Sequence, residues 1–270
     1  MGYTLRKPVT LTGIGIHSGK PAVLHVKPAM SGRLRFVCQG QTIPLRLSNL
    51  KPQNLGTNLT KNGVNIKTIE HVCALLWYLQ LTDLILELDG DEVPIMDGSA
   101  GDMYALFKKA GRRLTKTLPR ILEIKKPISL FQNDMYIVAL PAKHLSIYYT
   151  ISFPNTPIKT QTRVLASRAR FLEQIMRART FGNVDDVETL HANGRALGAT
   201  LENVLAYNSV EFVNSPRFED EAVRHKILDL LGDLYASGYD VRGKIIAFKT
   251  SHLFNYKFVK KIARLRHLKQ

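Results

Sequence analysis

The chain has 270 residues, 45% of them hydrophobic and 22% charged, which is the composition of an ordinary globular protein. It is long enough for one large domain or two small ones. The apolar run at residues 72–81 is too short to span a bilayer, no charged-then-apolar leader precedes Lys7, and Cys38 and Cys73 lack metal-site or disulfide spacing. We therefore expect a cytoplasmic protein.

The formal net charge of +16 has more than one interpretation. It suits nucleic acid, an anionic membrane surface or a phosphorylated small substrate as a partner. It suits a solvated surface of biased composition equally well. The sequence contains no zinc finger, no aromatic RNA-binding strand and no basic region followed by heptads. We expect no nucleic-acid partner.

The first half of the sequence predicts strands and two helices, because apolar residues alternate in some segments and recur at helical spacing in others. In chain order these are strands in AVLHVKPA and GRLRFV, a helix in TIEHVCALLWYLQL, a strand and turn-rich loop in DLILELDGDEVPIMDGSA, and a helix in GDMYALFKKAG. Thr68 is the expected N-cap of the first helix. The basic segment Gly111–Arg120 contains Pro119 and is typical of a linker.

The second half repeats this order. Its segments are strands in RILEIKKPISLF and MYIVALPAKHLSIYYTISF, a helix in RFEDEAVRHKILDLLGDLY, a strand in GKIIAFKT and a last helix in YKFVKKIARLRHL. Gly98 follows His71 at the same interval at which His252 follows His225. This match indicates two α/β units related by duplication, and we expect the functional site in the cleft between them.

A polar stripe marks the helix of the second half. His225, Asp229 and Asp233 recur every four residues, so their side chains share one face. An imidazole and a carboxylate placed in this way can bind one metal ion, although a solvated surface gives the same pattern. A catalytic zinc needs a third protein ligand. His71, in the first turn of the matching helix, is the best candidate, and Glu70 beside it is either a general base or a helix N-terminal acid.

Five stretches, spread in order over nearly the whole chain, carry a family resemblance: TGIGIHSGK, KTIEHVCALL, DEVPIMDGSA, RARTFG and RFEDEAVRHKILDLLGDLY. Together they resemble the zinc-dependent deacetylases of UDP-3-O-acyl-N-acetylglucosamine, the committed step of lipid A biosynthesis. The resemblance implies an α+β fold of two similar α/β domains, each a sheet with two helices, with the helices packed between the sheets. We expect the domains at residues 1–115 and 116–270, with an inserted acyl-passage unit at about 182–203.

The resemblance also implies the metal site. One zinc ion per chain would be held by His71, His225 and Asp229, with Glu70 as the general base. Fe²⁺ would suit the same ligands in the cell. The implied reaction removes the N-acetyl group from the UDP-linked acylated glucosamine and releases acetate. The alternative is a basic protein of the same fold that binds nucleic acid or membrane without turnover.

Further roles follow from the resemblance, residue by residue. It implies that His252 is the general acid, that Asp233 orients it, and that Thr180 polarises the substrate amide carbonyl. Lys226 would contact the polar part of the substrate. The resemblance departs at Ser251, where the family has the glycine before the acid histidine.

Three more residues are candidates for the wall of the substrate site. Phe181 and Leu190 would line the acyl passage, although plain packing explains each of them equally well. The stretch GIGIHSGK fails the spacing of a phosphate-binding loop, so we interpret its glycines as turn residues and expect His17 to line the cleft. Ala199 stands where the family has the second glycine of GGS, which bears on the acyl length accepted.

The C-terminal stretch YKFVKKIARLRHLKQ combines an apolar face, formed by Phe258, Ile262 and Leu265, with a basic one. The basic residues are Lys257, Lys260, Lys261, Arg264, Arg266 and Lys269. One interpretation is a packed helix with a solvated basic face. The other is a peripheral contact with the anionic inner membrane, where an acylated substrate would be found. We expect the protein to act as a monomer.

Overall fold

Two five-stranded sheets, one from each half of the chain, form the frame of the fold. The computed structural model describes residues 1–30, 33–53 and 55–267, with side chains described as far as residue 265. The elements of the first half are β1 (Tyr3–Leu5), β2 (Val9–Ile14), β3 (Pro21–Pro28), β4 (Leu34–Cys38), β5 (Gln41–Pro44), a 3₁₀ helix (Leu47–Asn49), β6 (Leu59–Lys61), β7 (Val64–Ile66), α1 (Glu70–Leu79), β8 (Leu84–Asp89), α2 (Gly101–Ala110) and β9 (Arg112–Leu114).

The second half adds a further set of strands and helices. They are β10 (Ile121–Glu123), β11 (Ile128–Gln132), β12 (Met135–Leu140), β13 (Ser146–Phe153), β14 (Lys159–Leu165), a 3₁₀ helix (Arg168–Arg170), α3 (Phe171–Gln174), β15 (Phe181–Asn183), a 3₁₀ helix (Val184–Asp186), α4 (Val187–Ala192), β16 (Leu205–Tyr207), α5 (Glu221–Ala236), β17 (Asp240–Arg242), β18 (Lys244–Phe248) and α6 (His252–His267).

The two sheets have the same topology. The first has the strand order β2-β3-β8-β4-β5 and the second β11-β12-β18-β13-β14. In each sheet the central strand pairs in parallel with one neighbour, β4 with β8 in the first sheet and β13 with β18 in the second. All remaining pairs in the two sheets are antiparallel. The central strand of each sheet follows a long helix and precedes another. The predicted α+β fold with an internal duplication is therefore confirmed.

The helices α1 and α5 lie at the centre of the molecule and pack against each other. Glu70 to Trp77 are all buried in α1, and only Arg224 and Lys226 escape burial among the 16 residues of α5. A helix that is buried on nearly all sides must carry apolar residues all round. The polar residues that α1 and α5 bury are for this reason informative, since each needs a partner.

The strands of the first sheet show why one face meets these helices. In β3, Leu24 and Val26 are buried while His25 between them is exposed, as the two-residue period of a strand requires. His25 therefore faces solvent. Burying one apolar face of each sheet on the central helix pair gives the layered core.

The segment predicted as a linker contains a short strand. Within it, β9 pairs antiparallel with β1, so the first half closes on itself. Beyond it, β10 pairs in parallel with β17 in the second half. We propose the domain boundary at residues 115 and 116, because these strand pairs lie on either side of it.

Several predicted elements differ from those in the structure. Thr68 has a left-handed backbone with φ of 57° and does not cap α1, which begins at Glu70 after Ile69. Its hydroxyl instead donates to the buried Glu92 carboxylate. The segments RILEIKKPISLF and MYIVALPAKHLSIYYTISF each contain two strands, β10 and β11 in the first and β12 and β13 in the second. The strands β10 and β11 belong to different sheets.

The last helix, α6, begins at His252, four residues earlier than predicted. Phe258 and Ile262 are buried, but Leu265 is 41% exposed, so the packed face ends near Ala263. Lys269 lies outside the described residues, as does the side chain of Arg266. Within the described part of the chain, no helix is both long and apolar enough to cross a membrane.

Candidate active site

The contact between α1 and α5 brings polar side chains from both halves together. Glu70 and His71 occupy the first turn of α1, and His225, Asp229 and Asp233 lie along α5. At Gly232 the helices touch through their backbones, since a Cβ atom there would lie 2.1 Å from the Glu70 carbonyl oxygen. Only glycine permits this approach.

His71, His225 and Asp229 form a cluster with the geometry of a metal site. All three are buried, and their ligand atoms lie within 4.8 Å of one another. Nε2 of His225 is 3.2 Å from Asp229 Oδ1, and Nε2 of His71 is 3.7 Å from the same oxygen. Two imidazole nitrogens and one carboxylate oxygen are a donor set that suits zinc and related divalent ions.

The histidines of the cluster are prepared to act as ligands. His225 Nδ1 donates to the Ala178 carbonyl oxygen at 3.0 Å, which leaves Nε2 directed at the cluster. His71 Nδ1 has no hydrogen-bond partner among the described residues. Burial, reinforced by His225, lowers the pKa of His71 to about 3, which keeps the ring neutral. The residues therefore fit a metal ion.

Asp229 is held ionised although it is buried. Burial favours the neutral acid, but the neighbouring His225, Lys226 and His252 outweigh it and lower the pKa of Asp229 well below its usual range. The Lys226 ammonium donates to Asp229 Oδ2 at 2.8 Å. Burial also disfavours charge on Lys226, yet Asp229 and other neighbours raise its pKa above the ordinary value.

Glu70 lies beside the cluster, and its pKa is about 7. One carboxylate oxygen accepts a hydrogen bond from the Thr57 N–H at 3.0 Å, and the other lies 3.9 Å from Nε2 of His252. Burial raises the pKa of Glu70 to about 7, with Asp233 and Asp229 adding to the effect and His252 opposing it. A carboxylate with such a pKa is suited to proton transfer near neutrality.

His252 and Asp233 form a buried pair. His252 Nδ1 lies 2.9 Å from Asp233 Oδ2 and 3.1 Å from Oδ1, which leaves Nε2 facing Glu70. Burial alone would lower the pKa of His252, but the carboxylates of Asp233, Asp229 and Glu70 raise it to about 9. Asp233 is not part of the metal cluster, and both of its oxygens accept hydrogen bonds.

A cavity of about 600 Å³ opens above these groups. Thr180, Phe181, Leu190, Lys226 and His17, which sequence reasoning assigned to the substrate, all line it. Sequence reasoning missed the part of its apolar wall that lies outside the predicted insert, which includes Ile151, Phe153 and Val204. These residues have ordinary core spacing in the sequence, so no signal distinguished them from packing.

The predicted insert closes one side of the cavity. It contains α4, and the short strands β15 and β16 that flank it pair in parallel. His17 joins this unit to the first half: its Nε2 lies 3.0 Å from the Leu55 carbonyl oxygen, and its Nδ1 accepts from the Ala196 N–H at 3.4 Å. Burial lowers the pKa of His17, which agrees with a neutral ring that both donates and accepts.

The glycine-rich turn before His17 holds a protein carboxylate. Glu92, buried, accepts hydrogen bonds from the backbone N–H groups of His17 and Ser18 at 3.0 and 2.8 Å. A Cβ atom at Gly15 would lie 2.3 Å from the Glu92 carboxylate. The stretch GIGIHSGK superficially resembles a phosphate-binding loop, but the Glu92 carboxylate already accepts from two of its backbone N–H groups.

The two departures from the family pattern lie in the cavity wall without strain. The φ angle of Ser251 is not positive, so the residue does not need to be glycine. Its hydroxyl accepts a hydrogen bond from the Phe254 N–H at 3.3 Å at the start of α6. Ala199 lines the cavity as well. Both side chains therefore contribute atoms to the cavity wall, and neither residue has a positive φ.

Three ligands with an open side and a nearby carboxylate are the arrangement of metal-dependent hydrolases as a class. Comparison with known proteins gives the family. The family model described as UDP-3-O-acyl N-acetylglycosamine deacetylase matches residues 2–264 of the chain. The UDP-3-O-acyl-N-acetylglucosamine deacetylase of Myxococcus xanthus is 40% identical over 267 residues, 96% of this chain and 85% of the relative.

Two further relatives carry the same name. That of Syntrophotalea carbinolica is 37% identical over 96% of this chain and 86% of its own length. That of Histophilus somni is 35% identical over 95% of this chain and 88% of its own. The chain belongs to the UDP-3-O-acyl N-acetylglycosamine deacetylase family, a family of metalloenzymes, and it is a hydrolase of an amide bond. The resemblance inferred from the sequence is confirmed, and the binding protein without turnover is not favoured.

Proposed function

We propose that this protein is a zinc-dependent deacetylase of lipid A biosynthesis, which removes the N-acetyl group from UDP-3-O-acyl-N-acetylglucosamine and releases acetate. The observation that carries the proposal is the meeting of the His71, His225 and Asp229 cluster with Glu70 and His252 at the base of one apolar cavity. The family and the names of the relatives support the substrate.

Zinc, with Fe²⁺ as the alternative in the cell, would be held by His71, His225 and Asp229. When bound, the ion supplies Lewis-acid catalysis, which makes water nucleophilic near neutral pH and polarises a carbonyl group. The chain itself completes the site electrostatically. Lys226 neutralises the second oxygen of Asp229 at 2.8 Å and lines the cavity, where it would contact the polar part of the substrate.

Glu70 and His252 divide the proton transfers. Glu70 would take a proton from water as its oxygen attacks the acetyl carbonyl carbon. Thr180 would donate a hydrogen bond to the oxygen that becomes negative. When the C–N bond breaks, His252 Nε2 would give its proton to the departing amine. The products are acetate and a glucosamine with a free amino group. Asp233 would hold the His252 ring through Nδ1.

The apolar wall of the cavity fits the acyl chain of this substrate. Phe181 stands edge-on to Phe153 at 5.7 Å between ring centroids, and both rings line the cavity together with Leu190. A saturated chain is stabilised by such a wall in proportion to the apolar area removed from water. The polar head would then lie beside Lys226 and the acyl chain under the insert.

Acetate release is the test of this function. The purified protein, stripped of metal with a chelator and reloaded with zinc, should release acetate from UDP-3-O-acyl-N-acetylglucosamine only after reloading. The Asp229→Ala variant is the matched control, since reloading should not restore it. A reloaded wild-type protein that releases no acetate would refute the proposed function.

We also propose that the protein acts as a monomer, without nucleic acid, and touches the inner membrane through a basic surface on α6. This surface consists of Lys257, Lys260, Lys261 and Arg264, all exposed. No carboxylate lies within salt-bridge distance of these four side chains in the part of the chain that the structure describes. Cationic charge of this kind is attracted to anionic lipid.

A further inference from the structure

We propose that Thr57 is a positioning residue, which holds the Glu70 carboxylate and the Asp233–His252 pair in a fixed relation to each other. The inference rests on the proposed function, in which Glu70 and His252 transfer the protons. Thr57 belongs to the loop before β6, and nothing in its sequence context distinguishes it from an ordinary loop threonine.

Every polar group of Thr57 is engaged at the active site. Its N–H donates to Glu70 Oε2 at 3.0 Å, and its hydroxyl donates to Asp233 Oδ1 at 2.5 Å. Its carbonyl oxygen accepts from the N–H of Ile69, the residue that precedes Glu70, at 3.1 Å. The residue is only 2% exposed, so water does not compete for these hydrogen bonds.

The two carboxylates that Thr57 joins come from different halves of the molecule. Glu70 is on α1 in the first half, and Asp233 is on α5 in the second. Helix packing fixes the backbones of α1 and α5, and hydrogen bonds orient the carboxylates that these helices carry. Thr57 donates to both carboxylates and so couples the orientation of one to that of the other.

Thr57 also completes the hydrogen bonding of Asp233. The carboxylate accepts from the Thr57 hydroxyl on Oδ1 and from the Asn255 side-chain amide on Oδ2 at 2.7 Å, while His252 Nδ1 bridges both oxygens. Three donors fix its plane and therefore the direction in which His252 Nε2 points. The same donors keep Asp233 from becoming a fourth metal ligand, although it lies one turn beyond Asp229.

Loss of the Thr57 hydroxyl should therefore affect the chemical step more than binding. Asp233 would keep its charge but lose a donor on Oδ1, and its plane and the His252 ring would be less well fixed. Among the described residues, Thr57 makes no hydrogen bond to the metal cluster and does not line the cavity, so metal and substrate binding should persist. Partners of this kind typically contribute about 10–100-fold to activity.

Thr57→Val, which removes the hydroxyl and preserves the shape, is the test, and Thr57→Ser should rescue it. We expect Thr57→Val to lower kcat by about 10–100-fold, with KM, zinc content and melting temperature close to the wild type. The matched control is Thr60→Val, because the Thr60 hydroxyl donates at 2.9 Å to Asn65 in the β6–β7 hairpin. Its kcat should be unchanged.

The inference is overturned if kcat of Thr57→Val stays within about twofold of the wild type, or if Thr57→Ser is as slow as Thr57→Val. It is also overturned if zinc content and KM change along with kcat, since that indicates general disruption. If the valine variant does not fold, Thr57→Ala against Thr57→Ser makes the same comparison. Failure of the proposed function would differ, because the wild type itself would release no acetate.

Discussion

Burial and nearby charge favour the protonation states that the proposed proton transfers by Glu70 and His252 need. Burial raises the pKa of Glu70 to about 7, and three carboxylates raise that of His252 to about 9 against the effect of burial. Between these values Glu70 is ionised and can accept a proton, while His252 is protonated and can donate one. The rate should therefore rise with pH through the Glu70 pKa and fall through the His252 pKa.

Asp233→Asn should move both limbs of this pH–rate profile to lower pH. Asp233 raises the pKa of His252, so its loss lowers the pKa at which the acid is deprotonated. Asp233 also raises the pKa of Glu70, so the acidic limb should move in the same direction. The profile of kcat/KM against pH measures both, with zinc content as the control. An unmoved basic limb would show that Asp233 does not act through His252.

Mutation should distinguish the proposed metal ligands from the proposed general base. His225→Ala or Asp229→Ala removes a donor atom and should abolish zinc binding, as measured by metal analysis of the purified protein. Glu70→Ala should keep zinc and lose about 10²–10⁴-fold in kcat, the usual contribution of a general base. Glu87→Ala, on the exposed side of β8, is the control and should change neither. Zinc loss in Glu70→Ala would contradict the assigned roles.

Single residues were predictable where local spacing carried the signal. The four-residue steps of His225, Asp229 and Asp233 are enough to indicate a polar helix face, and the adjacency of Glu70 and His71 indicates a base beside a ligand. Thr57 and Asn255 were not predictable. Thr57 contacts Asp233 across 176 residues, and only the fold brings such residues together.

At the scale of elements, the site depends on how closely α1 and α5 approach. A Cβ atom at Gly232 would lie 2.1 Å from the Glu70 carbonyl oxygen, and backbone cannot rotate away as a side chain can. Alanine normally stabilises a helix interior by about 1 kcal/mol relative to glycine. Overpacking of a core typically costs about 1–3 kcal/mol, and this cost should prevail here.

Gly232→Ala should therefore lower the free energy of unfolding and weaken zinc binding, since it pushes the α1 residues Glu70 and His71 away from α5. Denaturant unfolding and zinc titration measure the two effects. Gly13→Ala is the control, because a Cβ atom there meets Pro94 at an ordinary 3.4 Å. A Gly232→Ala protein as stable as the wild type would show that the helices separate without cost.

A separate prediction concerns the binding of the basic surface of α6 to anionic membranes. Sedimentation with anionic vesicles at low salt should detect binding of the protein, because each cation near such a surface contributes on the order of 1 kcal/mol. Binding should fall at high salt and in the Lys260→Gln, Lys261→Gln, Arg264→Gln triple variant. Equal loss of binding in a control triple variant, with Lys108, Lys109 and Arg113 changed to Gln, would show that net charge alone is responsible.

Element types were predictable from periodicity, whereas several element ends were not. The 3.6-residue pattern predicted α1, α2 and α5, and apolar alternation predicted β3 and β4. Thr68 has the chemistry of an N-cap, but its hydroxyl donates to Glu92, which tertiary structure brings within 2.8 Å. The preference of threonine for an N-cap position is outweighed at Thr68, because the buried Glu92 carboxylate needs hydrogen-bond donors.

At the scale of the whole molecule, duplication creates the site. Two sheets of identical strand order each present a long helix to the other, and the facing helices carry the polar groups. The halves have since diverged in role: the first supplies Glu70 and His71, and the second supplies His225, Asp229 and His252. The equal intervals from His71 to Gly98 and from His225 to His252 indicated this repeat in the sequence. The strand pairing that establishes it involves contacts too distant for any sequence period to predict.

We propose that one zinc ion lies between the two halves, held by His71, His225 and Asp229. Anomalous X-ray diffraction from crystals of the zinc-loaded protein, recorded at the zinc absorption edge, tests it most directly. We predict a single peak per chain between α1 and α5, at about 2.0–2.2 Å from one nitrogen of each histidine and from an Asp229 oxygen. A peak elsewhere, or a peak at this position that includes Asp233 as a ligand, would contradict the claim.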